Sequence, residues 1–108
     1  MAGFNPRNRM EAFKTGKPED KELLSLAHEI VLIWRPLGVI LGLTNATLDV
    51  IDQDSPKVLN KSYDMLIKWR ESLGSEATYK NLAVGLDHEI IGRHDLVEKY
   101  CHESELNA

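Results

Sequence analysis

The chain has 108 residues, of which 43% are apolar and 28% charged, and its formal net charge is −4 at pH 7. This length suits one domain with one modest core, and the composition excludes fibrous and wholly disordered proteins. The sequence has no apolar run of membrane-spanning length, no apolar stretch typical of a secretory signal, and a single cysteine that cannot form an internal disulfide. We therefore expect a cytoplasmic or nuclear domain without a membrane span.

The N-terminal part has little regular pattern. Residues 1–18 contain Pro6 and Gly16 and are expected to form a flexible or partly docked leader. Helical spacing begins at residue 19, so we expect a helical bundle over residues 19–102 and a frayed tail over residues 103–108. Helix one follows the acidic pair at residues 19 and 20, and its apolar stripe is formed by Leu23, Ala27, Ile30 and Trp34.

Pro36 predicts a turn near Arg35, because proline is not tolerated inside a regular helix. Helix two restarts there, with Leu37, Ile40 and Leu41 on its buried face and Gly42 at its end. Thr44 or Asn45 caps helix three. Leu48 and Ile51 of that helix are expected to point inward, and Asp49, Asp52 and Asp54 outward.

The dipeptide Ser55-Pro56 predicts the start of helix four, since it combines a capping hydroxyl with proline at the first helical position. Gly74 ends that helix, and its apolar stripe consists of Leu59, Ser62 or Tyr63, Leu66, Trp69 and Leu73. Ser75 is the expected cap of helix five, and a turn at residues 88–92 leads to helix six. Their inward residues are expected to be Ala77, Leu82, Ala83 and Leu86, then Leu96, Val97 and Tyr100.

No segment has the sustained alternation of a strand, so the sequence predicts an all-α fold of about six short helices. The order of these signals resembles the death domain family, whose members are six-helix antiparallel bundles of the death-fold type. The resemblance covers roughly residues 23–100. It is carried by Trp34 followed by Leu37 and Leu41-Gly42-Leu43, Leu48 with Ile51, Met65-Leu66 with Trp69, and Gly74 through Ala77-Thr78, Leu82 and Leu86 to Arg93-x-Asp95-Leu96.

This resemblance implies a function in homotypic assembly. Members of the family bind one another asymmetrically and build oligomeric signalling platforms in cell-death and innate-immune pathways. They are not enzymes and need no cofactor. The resemblance implies contacts between the surface of helices two and three and the surface of helices one and four, and further contacts at the corner between helices five and six, where Arg93 lies.

The distribution of charge agrees with that expectation. Residues 19–54 carry seven acidic and two basic side chains, whereas residues 55–82 carry five basic and three acidic ones. We predict a partner-binding surface in which acidic helix three of one copy meets basic helix four of another. Its residues are Arg35, Asp49, Asp52, Asp54, Lys57, Lys61, Lys68, Arg70 and Arg93. The alternative is that these charges only keep the domain soluble.

Three kinds of chemistry have weak support. His88, His94, Cys101 and His102 match no zinc-binding spacing, and solvated histidines are the simpler interpretation. Cys101 has no oriented base beside it in sequence and is expected to be a partly buried structural residue. Trp34 and Trp69 could stack on a ligand, but each completes an apolar stripe and is expected in the core.

Two other function classes stay open at this point. A helical nucleic-acid-binding or regulatory domain is the main alternative, although only the leader and helix four offer basic side chains. A small hydrolase is a more distant one, because the clustered aspartates lack an enclosing pocket that would shift their pKa values. The sequence therefore favours a module that binds other death-fold domains, with no nucleic acid, membrane or small-molecule substrate.

Overall fold

The computed structural model describes residues 12–103, which fold into six helices. The first five are α1 (Asp20–Glu29), α2 (Trp34–Ile40), α3 (Asn45–Asp54), α4 (Val58–Leu73) and α5 (Tyr79–Leu86). In α6, the segment His94–Leu96 continues into a π-helical turn at Val97–Cys101. The predicted all-α bundle is confirmed. Within residues 12–103, no helix combines the length and the apolar character needed to cross a bilayer.

The α1 helix begins where the acidic pair predicts. Glu19 is the N-cap, and its N–H donates to the Glu22 carboxylate at 3.0 Å, so Glu22 occupies the acidic position of a capping box. Asp20 and Glu22 lie in the first turn, where negative charge interacts favourably with the helix dipole. Local sequence therefore accounts for the position at which α1 begins.

Trp34 belongs to α2, so its assignment to helix one is wrong. The α1 helix ends at Glu29, the chain turns through residues 30–33, and Trp34 is the first residue of α2. Its spacing from Ile30 fits a continuing helical stripe, which is why the pattern was misleading. Pro36 is the third residue of α2, where its missing N–H breaks no bond because the first N–H groups of a helix have no partner inside it.

Gly42 ends α2 as predicted. Its φ is +102°, a left-handed conformation that favours glycine, and its N–H donates to the Val39 carbonyl at 3.0 Å. The next N–H, from Leu43, donates to the Gly38 carbonyl at 3.0 Å. This pair of bonds is a Schellman motif, which satisfies the last carbonyls of the helix and turns the chain toward α3.

The connection between α3 and α4 differs from the prediction. Ser55 is the C-cap of α3 and Lys57 is the N-cap of α4, so Ser55-Pro56 does not start the fourth helix. Ser55 has an extended conformation, as a residue before proline favours, and its hydroxyl donates to the Asp64 carboxylate. The serine therefore ties the end of α3 to the side of α4.

The start of α5 also corrects the prediction. Gly74–Glu76 form a short 3₁₀ turn, and Thr78 rather than Ser75 is the N-cap of α5. The Thr78 hydroxyl oxygen accepts the Asn81 N–H at 3.1 Å. Ser75 is three residues too early, because it lies inside the 3₁₀ turn, and the buried Ala77 follows that turn before α5 begins.

The core runs through all six helices and contains both tryptophans. The most extensive helix contact is between α1 and α4. Most residues predicted to point inward are buried, although Ile40, Leu59, Tyr63 and Leu73 are only half-buried. The fully buried large side chains are Trp69, Leu23, Leu26, Ile30, Leu37, Leu48, Met65, Leu66, Leu82, Leu86, Leu96 and Val97.

A short segment before α1 pairs with the end of α6. The Lys14 N–H donates to the Cys101 carbonyl at 2.9 Å, and the Glu103 N–H donates to the Ala12 carbonyl at 3.0 Å. Phe13 and His102 form an antiparallel bridge, with ring centroids 5.2 Å apart. Residues 1–11 of the predicted leader and residues 104–108 of the predicted tail lie outside the described residues. The boundaries drawn at residues 18 and 103 stay predictions.

Candidate functional site

Three aspartates occupy the exposed side of α3. Asp49, Asp52 and Asp54 are exposed, whereas Leu48 and Ile51 are buried. The helix starts at Thr44, whose hydroxyl oxygen accepts the Thr47 N–H at 3.1 Å. The predicted outward placement of the three acids is confirmed, because the 3.6-residue period of the helix separates them from its two buried apolar residues.

Arg35 of α2 reaches this acidic face. Its Nη2 donates to Asp49 Oδ1 at 2.6 Å, and both side chains are about a third or more exposed. An exposed ion pair of this kind contributes on the order of 0–1 kcal/mol, because water screens it and two long side chains must be ordered. The pair therefore balances one charge of the acidic face without fixing the fold.

Asp52 and Lys61 form an ion pair within the chain. The hydrogen bond from Lys61 is the main cause that lowers the pKa of Asp52. The two residues were predicted on complementary surfaces of different copies. The structure brings them together because α3 and α4 are neighbours. A contact between copies through either residue would therefore compete with this pair or share it.

Arg70 of α4 is directed to the start of α1. Its Nη1 donates to the Pro18 carbonyl at 2.9 Å, and its Nη2 forms an ion pair with Asp20. Pro18 is buried. Arg70 therefore holds the chain just before α1 against α4, a structural role that the sequence did not indicate.

Three of the predicted site residues can present a charged side chain directly to a partner. Asp54, Lys57 and Lys68 are exposed, and none forms an ion pair with another residue between 12 and 103. Asp54 ends α3, Lys57 precedes α4, and Lys68 lies in the second half of α4. Of the nine predicted residues, these three can meet a partner without first giving up an ion pair to another of the described residues.

An open groove of about 270 Å³ runs between α3 and α4. Its apolar part is formed by Val50, Ile51 and Ile67, and its charged rim includes Asp54 and Lys68. Asp64 and Glu71 also line it, and both are exposed. Sequence reasoning missed these two acids, although their spacing from Ile67 on one face of a helix was a readable signal.

Arg93 joins the corner between α5 and α6 to the end of α1. Its Nε and Nη2 each donate to the Asp95 carboxylate at 3.0 Å, and its Nη1 donates to the Glu29 carbonyl at 3.2 Å. The bond to Asp95 is the main cause that raises the pKa of Arg93. Lys99 adds an ion pair to Glu29 at 2.8 Å. Arg93 and Lys99 therefore attach this corner to α1. The hydrogen bonds of Arg93 help to hold the fold together.

His94 of α6 lies between two carboxylates and the ring of His102. His94 Nδ1 lies 2.9 Å from Asp87, its Nε2 lies 3.4 Å from Glu98, and its ring packs edge-on to His102 at 6.3 Å between centroids. The hydrogen bond with Asp87 is the main cause that raises the pKa of His94. In the part of the chain from residue 12 to 103, no three His, Cys, Asp or Glu side chains converge on a common metal position.

Cys101 and the two tryptophans lie in the interior. Cys101 is fully buried, and this burial raises the pKa of its thiol to about 12. Trp69 is 1% exposed and Trp34 is 8% exposed. The predicted core positions of the tryptophans are confirmed.

A comparison with protein families gives one match that covers most of the chain. The model of the Death domain family matches residues 17–102. The match begins just before α1 and ends just after α6, so it includes every helix described above.

Proposed function

Because the chain belongs to the death domain family, we propose that it binds other death-fold domains, including copies of itself, in cell-death or innate-immune signalling. The family match over all six helices carries this proposal. Death domains are interaction modules, and we infer that this chain acts as a binder or adaptor in the cytoplasm, without catalysis or a cofactor. This binding would result in an assembled signalling complex.

The charges on α2, α3 and α4 support a binding surface. Asp54, Lys57 and Lys68 are exposed and have no internal ion pair within residues 12–103. The pairs Arg35 with Asp49 and Lys61 with Asp52 are partly exposed, so water screens both pairs and each holds its residues only weakly. A partner that offers equivalent charges can therefore replace an internal pair at little cost.

The remaining two residues of the predicted surface are more constrained. Arg70 is bonded to Pro18 and paired with Asp20, and Arg93 is bonded to Asp95 and Glu29. We propose that their parts in binding are secondary, since each would have to leave at least two partners. Their exposed edges can still add long-range attraction to an acidic partner.

The proposal is tested by light scattering on a sizing column across protein concentration and salt, together with surface plasmon resonance against a panel of purified death-fold domains. We expect association that weakens as salt increases. Lys57→Glu should reduce it, whereas Lys80→Glu, an exposed lysine on α5, should leave it unchanged. A chain that neither self-associates nor binds any member of the panel would overturn the proposed function.

A further inference from the structure

The α4 wall of the groove carries an acidic ridge. Asp64, Ile67 and Glu71 are spaced at i, i+3 and i+7, so they follow one another along one side of the helix. Ile67 is half-buried, and both acids are exposed. Asp64 accepts the Ser55 hydroxyl through one oxygen, which leaves lone pairs for another donor.

The opposite wall of the groove adds an apolar contact and a further acid. Val50 of α3 is 56% exposed, and Asp54 lies one turn further along the helix. The groove therefore holds three carboxylates and one lysine, Lys68, around an apolar centre. A helix with basic residues on either side of an exposed aliphatic side chain would complement it.

The chain itself has such a helix. On α1, Lys21, Leu24 and His28 are all exposed, and Leu24 is 44% exposed although it is aliphatic. Lys21 forms no ion pair inside residues 12–103. His28 Nδ1 donates to the Leu24 carbonyl at 3.1 Å, which leaves Nε2 as the ring nitrogen that a partner can contact.

The two ridges have the same spacing. Lys21, Leu24 and His28 also follow i, i+3 and i+7, so each ridge is about 10 Å long. When the two helices run parallel, Lys21 lies opposite Asp64 and Leu24 opposite Ile67. His28 then lies opposite Glu71. Opposite charges therefore meet at the first position, two aliphatic side chains at the second, and an imidazole and a carboxylate at the third.

Within one chain these ridges cannot meet. The α1 helix already packs on α4 through its other side, where Ser62 donates to the Ala27 carbonyl and Arg70 pairs with Asp20. The groove lies on the α3 side of α4. Contact between the two ridges therefore requires two copies of the chain.

We propose that the α1 ridge of one copy (Lys21, Leu24 and His28) docks into the α3–α4 groove of the next copy. This inference rests on the proposed function and names a contact through which self-association would occur. The ridge and the groove are different surfaces, so each added copy leaves one ridge and one groove free. The contact is head-to-tail and can continue into a longer assembly.

Two charge-reversed variants test the contact. The ridge variant is Lys21→Glu/His28→Glu, and the groove variant is Asp64→Lys/Glu71→Lys. Each variant alone brings like charges together, so we expect a monomer by sedimentation velocity where the wild type forms oligomers. An equimolar mixture should assemble again, because the altered ridge fits the altered groove and the native ridge fits the native groove.

Controls separate this contact from folding and from general charge effects. Lys17→Glu/Lys80→Glu reverses two exposed lysines outside both surfaces and should assemble like the wild type. Leu24→Ser keeps the charges and should weaken association by about tenfold or more, as expected for an aliphatic side chain lost from an interface. Circular dichroism melting establishes that each variant is folded.

The remaining outcomes distinguish the two proposals. Reversed variants that assemble alone as the wild type does, or a mixture that stays monomeric, would overturn the ridge-and-groove contact and leave the proposed function intact. A wild type that stays monomeric but binds another death-fold domain would also overturn the ridge-and-groove contact and leave the proposed function intact. A wild type that binds neither itself nor any member of the panel would overturn both proposals.

Discussion

The Ser62 hydroxyl donates a 2.9 Å hydrogen bond to the Ala27 carbonyl, and so joins two helices through residues that are 35 positions apart. Both residues are fully buried in the contact between α1 and α4. The bond therefore lies at the largest helix interface of the bundle and satisfies a polar group that has no access to water.

Ser62→Ala removes this donor from the interior. We expect the free energy of unfolding to fall by about 1–2 kcal/mol, because a buried hydrogen bond is lost and the Ala27 carbonyl keeps a longer bond, 3.4 Å, from the Ile30 N–H. Urea unfolding followed by tryptophan fluorescence measures the change. Ser72→Ala, at an exposed position of the same helix, is the control, and an equal loss there would contradict this account.

Gly38 is a position where alanine should destabilise the protein in spite of its better helix propensity. An added Cβ would lie 2.8 Å from Leu48 and 3.1 Å from Met65, and both of these side chains are fully buried. Overpacking typically costs 1–3 kcal/mol, whereas the gain in propensity is about 1 kcal/mol.

A double-mutant cycle with Leu48→Val tests the cause of that loss. Chemical denaturation of Gly38→Ala, Leu48→Val and the double variant gives the interaction between the two sites. The double variant should lose less stability than the sum of the single losses, since the smaller side chain makes room for the new methyl group. Simple additivity would show that crowding against Leu48 is not the reason.

His94 should make stability depend on pH. Its hydrogen bond with Asp87, and then the charges of Asp87 and Glu98, raise the pKa of His94 above the ordinary 6.5. The protonated ring is therefore favoured by folding. Its contribution is fully present below the unfolded-state pKa and is lost as the pH rises through the higher folded-state pKa.

His94→Gln removes this titration. Thermal unfolding is measured from about pH 5.5 to about pH 8.5. The difference in Tm between the wild type and the variant should be largest at the acidic end and should decrease as the pH rises. Both partners are exposed, so the effect should shrink in high salt. A constant gap across the range would mean that the ring acts only through packing.

The Cys101 thiol should be unreactive in the folded protein. It is fully buried, and its pKa is raised to about 12, so almost no thiolate is present at neutral pH. Labelling by a thiol reagent should therefore require local opening. Phe13→Ala should speed labelling because it removes the ring packed on His102, next to the backbone bond between Lys14 and Cys101.

The matched control for this labelling experiment is Lys17→Ala, an exposed position in the same segment. Its labelling rate should equal that of the wild type. If Phe13→Ala also labels at that rate, the segment before α1 does not protect the thiol, and protection must come from the helices alone.

Glycine and apolar spacing were the sequence signals that predicted the fold best. Gly42 and Gly74 have positive φ at the ends of α2 and α4, a conformation that few other residues adopt, so their local meaning was clear. Serine is less specific. Ser55 and Ser75 each fit a helix cap, yet Ser55 ends a helix and bonds to Asp64, while Thr78 caps α5.

The arrangement of charges could be predicted only in part. Outward placement of the α3 acids follows from helical period, but the pairing of Asp52 with Lys61 depends on how α3 lies beside α4. Arg70 and Arg93 likewise bond to backbone carbonyls far away in sequence, those of Pro18 and Glu29. Such partners are set by tertiary packing, and a single sequence holds no direct signal for them.

The bridge between Phe13 and His102 determines which part of the domain opens first under a pulling force. The chain enters and leaves the bundle side by side, held by the bonds from Lys14 to Cys101 and from Glu103 to Ala12. A pull on sequences attached at the two ends would strain this small connection before it reached the helices. The bridge would therefore open first, and the helical bundle would stay folded while the attached sequences move apart.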